Sequence, residues 1–390
     1  MKSLFRLGLV ALGLLLAQFA LPSSAEAACT GTPVHGGSGH ACYGIAPNGW
    51  GTSGAWSATS GGASCACTPT TGDDLIFDGH SGSGTYTASA ISLNSLDASA
   101  AASTVTIAGS AAVTISGNYF VLVSSMTFTA TGIYTFTSTS GTTTIELGGH
   151  TIATMTLNGT GGTFQFGGDS LGGTITNTLT LTAGTLDAST YNQNLTMGAF
   201  TGTAGTLNCG TGTWTFVGLN GNIFSFPGTI NCGSAAFTFA PSTTQTSVVT
   251  FVTQGASYGA VTFTTYNAVA KYGFAITVSS GATFASLTLN GPMSLVLTGS
   301  QTLTLSATPA WTGTAAAPIW IGATTTGVNA ITFAIPASPA PALSFLSMQN
   351  ATFTGNTSGV CTSCQNYGNV TGMTINAPII GTGGGHIIGG

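Results

Sequence analysis

"GTLNCGTGTWTF" at residues 205–216 returns as "GTINCGSAAFTF" at residues 228–239. Thr206 answers Thr229, Leu207 answers Ile230, Asn208 answers Asn231, Cys209 answers Cys232 and Trp214 answers Phe237, each 23 residues further on. A chain that repeats its residue types at such an interval, with only short strands and turns between, reads as one coil of a solenoid laid on the next. Coils stack about 4.8 Å apart, so like residues fall above like, with Leu on Ile inside and Asn on Asn at a corner.

The pattern extends both ways. "TAGTLDAS" (182–189), "TAGTLNCG" (203–210) and "FPGTINCG" (226–233) follow one another after 21 and 23 residues, and "ATMTLNG" (153–159) reappears as "ASLTLNG" (285–291). "TVTIAGSAAVTISG" (104–117), "TLTLTAGTLDAS" (178–189) and "TLTLSATPAW" (302–311) put apolar residues at alternate positions with Thr or Ser between. Period two with β-branched residues predicts strands, and the Gly, Asn and Ser interruptions predict turns. No stretch carries a helical period. The expected fold is all-β, a single-stranded parallel β-solenoid with a disulfide-stabilised N-terminal cap and a loose C-terminal cap.

The chain of 390 residues then divides into four parts. Lys2 and Arg6, the apolar run Leu7 to Ala20 and the Ala25-Glu26-Ala27 cleavage site predict a signal peptide over 1–27, hence a secreted or cell-surface protein. A lipid anchor at Cys29 is the alternative, although Glu26 stands where that signal wants an apolar residue. Residues 28–90, with four cysteines, Trp50 and Trp56, read as the N-terminal cap. Residues 91–348 read as the solenoid, about 12 coils of roughly 22 residues on an axis of about 55 Å. Residues 349–390 read as a C-terminal cap and Gly-rich tail. No stretch of the mature chain is long and apolar enough to predict a membrane span.

Charge is nearly absent. The sequence has 3 Lys+Arg and 8 Asp+Glu, and after residue 27 Lys271 is the sole cation. A nucleic-acid partner is therefore excluded, because nothing would neutralise phosphates. Thr, Ser, Asn and Gly must supply the polar surface. Eight cysteines in an exported chain predict disulfides. Cys29, Cys42, Cys65 and Cys67 are expected to pair among themselves, and Cys361 with Cys364 to pin a C-terminal loop. Cys209 and Cys232 should bridge successive coils, whose spacing lies inside the roughly 4.4–6.8 Å that a disulfide spans.

"WSATSGGA…PTTGDDLIFDGHSGSGTYT" (56–87), followed by rungs such as "GTLDASTYNQNLTMGAFTGTAGTLNCGTGTWTF" (184–216), resembles the Gly/Thr-rich β-solenoid proteins of bacteria and phages. Autotransporter passengers and virion-associated β-helix proteins are the nearest classes. The resemblance covers most of the mature chain and carries no catalytic signature. It implies that the "GDDLIFD" run forms the first rung, with Asp side chains satisfying turn amides. Autotransporters end in a membrane barrel of long alternating strands, and no such strands precede Gly390.

Each chemical motif has a plainer reading. Gly168-Asp169-Ser170-Leu171-Gly172 fits an esterase motif, but an elbow serine needs a strand-to-helix turn and a base, and neither is expected here. Asp73, Asp74 and Asp78 are candidates for calcium, which takes six to eight oxygen ligands; turn hydrogen bonding is the competing role. His35, His40, His80, His150 and His386 show no metal-ligand spacing. Asp97, Glu146, Asp169 and Asp187 stand singly, and the mature chain has no Arg, so the acid/base pairs and clamps of carbohydrate-cleaving β-helices are missing. No cofactor is expected. The reading is a non-enzymatic structural or adhesive protein whose partner is a surface glycan or a second copy. A phage virion or tail protein is the alternative, and a carbohydrate-active enzyme or an ice-binding protein stand behind it. Ice binding calls for regular Thr-x-Thr ladders. "TVT", "TFT", "TMT", "TLT" and "TLT" begin at 104, 135, 154, 178 and 302, a spacing too irregular for one.

Overall fold

The computed structural model describes residues 27–168, 172–241, 247–265, 273–278, 281–298, 301–323, 331–356 and 358–377. They contain strands and turns and no helix. The strands form a parallel β-solenoid of about 12 turns. The signal-peptide reading of 1–26, Asp169, Ser170, Lys271 and His386 lie outside the described residues.

Each coil has three faces. In one coil the chain runs along the first face at Thr174–Ile175 and the second at Thr178–Leu181. It then turns onto the third at Thr185–Asp187 and reaches the first face of the next coil at Leu195. The register read from the duplicated stretch is the observed one. Thr206, Leu207 and Asn208 lie opposite Thr229, Ile230 and Asn231, and Trp214 lies opposite Phe237.

Alternation sends every second residue into the lumen, where apolar columns form. On the first face Ile152, Ile175, Met197, Phe216, Phe239, Phe263 and Leu289 stack in that order. All are buried, the most exposed at 6%. Burial of each such side chain stabilises by about 1.5–3 kcal/mol. Phe216, Phe239 and Phe263 stack nearly parallel, with centroids 4.9 and 4.8 Å apart, the offset geometry that aromatic pairs favour. The lumen is a packed core.

The parallel register begins below residue 91. Ala41–Gly44 pairs with Asp74–Ile76, which pairs with Ser95–Asp97. Residues within the N-terminal cap thus supply the first rungs. Beneath them Trp56–Ser57 pairs antiparallel with Tyr43 and Gly44 and stops the stack, blocking an edge that would otherwise template further strands. Trp56 is fully buried and donates its Nε1–H to the Trp50 carbonyl oxygen at 3.0 Å. At the other end the pairing runs on past 348, through Val360–Thr362 to Thr374–Asn376.

Four disulfides are present: Cys29–Cys42, Cys65–Cys67, Cys209–Cys232 and Cys361–Cys364. Cys209 and Cys232 join successive coils, their Cα atoms 4.9 Å apart.

Candidate functional site: hydroxyl columns and a corner groove

The residues that alternate with the core point outward, and in register they form columns. On the first face Thr151, Thr174, Thr196, Thr215, Thr238, Thr262 and Thr288 lie one above another. On the second face Ser92, Thr114, Thr135, Thr156, Thr180, Thr201 and Ser225 do the same. The third face carries Thr142, Thr163, Thr185, Thr206 and Thr229. Beside them run Thr144, Gln165, Asp187, Asn208 and Asn231.

The columns hold one threonine per rung; the Thr-x-Thr runs do not stack into a ladder, since Thr154 lies opposite Ile133, Thr178 opposite Ala199 and Thr213 opposite Ala236. Steps along the first-face column are 23, 22, 19, 23, 24 and 26 residues. They scatter on both sides of the expected coil of roughly 22 residues. The scatter is taken up at the corners, where turns vary in length while strand pairing keeps the register. The Thr-x-Thr runs also belong to different faces. Thr135, Thr154 and Thr178 lie on the second face, whereas Thr302 pairs with Thr332 on the third.

The third-face column changes character along its length. At its N-terminal end the segment 33–40 lies across it. The Asp74 carboxylate accepts hydrogen bonds from the backbone N–H of Val34 and His35 at 2.7 and 2.9 Å. It also accepts from Asn94 Nδ2 at 2.6 Å and Ser95 Oγ at 2.7 Å. Burial alone would raise its pKa, but the four donors outweigh burial and hold it below the ordinary carboxylate value. Asp73, also buried, accepts from His40 N–H and from the N–H and hydroxyl of Thr70, and Asp78 accepts from His80 N–H. The three calcium candidates therefore serve three different backbone segments.

The imidazole of His35 stacks on Tyr119, centroids 4.1 Å apart, with Nε2 2.9 Å from Asp97 Oδ2. Ser99 Oγ donates to the other oxygen of Asp97. Here the carboxylate sits between the histidine and the serine, whereas a nucleophilic triad needs the histidine in the middle. The trio fastens the N-terminal segment.

Further along the column, Asp187 accepts from Ser189 N–H and Oγ, Thr190 Oγ1 and Gln165 Nε2. Burial pushes its pKa up and these donors, together stronger, bring it below the usual value. Next come Asn208 and Asn231, joined by Asn231 Nδ2 donating to Asn208 Oδ1 at 2.8 Å. At the adjoining corner they edge a shallow open groove of about 490 Å³, lined also by Ser189, Asn192, Thr211 and Ser234. Gly210 and Gly233 also line it, next in chain to the bridged Cys209 and Cys232. Gly210 has φ +70, and a Cβ there would meet Asn192 Oδ1 at 2.6 Å. Only glycine fits this corner without displacing Asn192 or the Ser189 backbone.

Sequence reasoning found the Asn-Cys-Gly repeat but not the groove. Its signal was present, since each repeated Cys is followed by a glycine at a corner. No described helix is long and apolar enough to cross a membrane. No family model matches the chain, and neither a curated protein nor a solved structure matches it.

Proposed function

We propose that this is an exported, non-enzymatic scaffold that adheres through its hydroxyl- and amide-bearing faces to a neutral, extended partner, such as a surface glycan. The observation that carries this reading is the set of in-register outward columns over a packed lumen. A regular, uncharged array offers many weak polar contacts at one pitch, and such contacts gain strength by multiplicity. The signal-like N-terminus and the disulfides support export. The carboxylates of Asp73, Asp74, Asp97 and Asp187 are each engaged in structural hydrogen bonds, which supports a non-catalytic role. The test is depletion of the purified chain from solution by particles of insoluble neutral polysaccharide. Retention by none of them would end the adhesive reading.

A second reading, ice binding, gains from the seven-rung threonine column on the first face. It places a methyl and a hydroxyl at each step of a flat strand array. Thermal hysteresis in the presence of seed crystals is its test, and Thr215→Leu with Thr238→Leu should abolish that signal if this face contacts ice.

A further inference from the structure

The corner groove, rather than the flat faces, has the features of a discrete ligand site. Three asparagine amides line it; Asn192 Oδ1 accepts from Thr211 N–H and Asn208 Oδ1 from Asn231 Nδ2, each at 2.8 Å, which leaves the Asn192 and Asn208 amide N–H groups and the Asn231 carbonyl oxygen to meet the hydroxyls of a sugar ring. Asn208 and Asn231 hold one register position on successive coils, so their contacts repeat at the strand spacing of about 4.8 Å, and Asn192 comes from the turn that follows Asp187 in the coil before. Tyr191 precedes Asn192 in the chain and lies just outside the residues that line the groove. It is 51% exposed, in a chain whose other large aromatic rings are mostly buried. Its ring lies over Gly168, where a Cβ would come within 3.2 Å of Cε1. An exposed ring next in chain to a lining asparagine provides an apolar platform for the face of a sugar that extends beyond the groove.

Charge selects among sugars. Asp187 stands in the same column as Asn208 and remains anionic, because its hydrogen bonds lower its pKa. No cation is among the described residues that line the groove. An acidic glycan would meet repulsion without any counter-charge, whereas a neutral one meets neither. The disulfide has a place here as well. By linking Cys209 to Cys232 it fixes the relation of Gly210 to Gly233 and of Asn208 to Asn231 across the coil boundary.

We infer that the groove between Asn192 and Ser234 is a binding site for a neutral glycan, with Tyr191 as stacking platform, the three asparagines as hydroxyl partners and Cys209–Cys232 as the brace holding them in register. This rests on the adhesive reading and narrows it to one corner of the solenoid.

Affinity electrophoresis of the exported chain in gels containing β-1,3-glucan, mannan, galactan or polygalacturonate tests it. The wild type should be retarded by at least one of the three neutral polymers and not by polygalacturonate. Tyr191→Ala and the double variant Asn208→Ala/Asn231→Ala should each weaken that retardation roughly tenfold, the size expected for one or two lost polar contacts. Gly210→Ala, whose methyl would collide with Asn192 Oδ1 and the Ser189 backbone and so displace the groove's lining, should remove it. A control far from the groove and outside the columns, Val360→Ala at an exposed position near the C-terminal end, should leave it unchanged, and a β-type circular dichroism spectrum equal to wild type confirms that each variant is folded. If the wild type is retarded by a neutral polymer and the groove variants behave like it, the groove assignment falls while the adhesive reading stands. Retardation by polygalacturonate alone overturns the neutral site, and retardation by no polymer overturns both.

Discussion

Asp74 and Asp187 occupy one column of the third face, with Ser95, Tyr119, Thr144 and Gln165 between them. Each accepts four hydrogen bonds, and each has its pKa lowered. The partners differ. Those of Asp74 come from 20 to 40 residues away. Three of those of Asp187 come from its own turn, two or three residues on, and the fourth from Gln165. Asp74 is 1% exposed and Asp187 is partly exposed. The same residue thus fastens distant chain at the solenoid's end and merely shapes a corner in its middle. Only the end carries a fastening that cannot be replaced by the next coil.

The largest effect should come from breaking that fastening. Asp74→Ala leaves the amides of Val34 and His35 and the side chain of Asn94 without their acceptor. The expected cost is about 4 kcal/mol, several charge-assisted hydrogen bonds offset in part by water reaching the site. Asp187→Ala should cost about 1 kcal/mol, since its donors are already near solvent. Hydrogen exchange resolves the two. Protection should collapse over residues 33–44 in the first variant and only over 187–193 in the second. Equal losses would show that the column is uniform and the comparison empty.

Reducing or removing the Cys209–Cys232 bridge should come next. Its loop of 23 residues corresponds to about 3 kcal/mol in the chain-entropy view. The loss should appear as exchange at residues 205–235, because neighbouring coils keep their own pairing. Alkylation of Cys209 and Cys232 without a reductant would show the bond absent.

A graded effect follows from pH. Because the folded pKa of Asp74 lies below its unfolded value, its contribution is complete above the unfolded carboxylate pKa of about 3.9. That contribution is lost as pH falls through the folded value. Exchange at residues 33–44 should therefore quicken below about pH 4, before the lumen strands respond. Onset at neutral pH would assign the fastening to another group.

The smallest effect is expected at the columns themselves. Thr215→Val keeps the β-branched shape on an outward, partly exposed position, so stability should change by under about 0.5 kcal/mol. A larger loss would mean that the column hydroxyls hold the coils together, as the 3.3 Å contact between the Thr180 and Thr201 hydroxyls would then suggest for the second face.

The fold was legible because its information is one-dimensional. Leu207 and Ile230 share a chain position, an environment and a rung, so a comparison of strings finds what the lumen requires. The hydroxyl columns were not legible in the same way. Counting residues from Thr104 to Thr302 mixes three faces and includes every corner insertion, whereas stacking counts rungs. The hold of Asp74 on residues 34 and 35 left no trace either, because a carboxylate bound to distant backbone amides imposes no residue type on its partners. The groove was half visible. Asn-Cys-Gly twice over marks a corner, but that Gly210 lies beside Asn192 depends on a turn from the previous coil.

The varying steps of the first-face column, from 19 to 26 residues, bear on how such a chain can change over generations. An insertion at a corner shifts nothing above or below it, while one residue gained within a strand turns a core side chain outward. Copying a whole coil would preserve every pairing and add one rung, and residues 205–216 and 228–239 show how alike two stacked coils are. Reach is then a heritable count. Lineages could lengthen or shorten the rod by unequal recombination without redesigning either end.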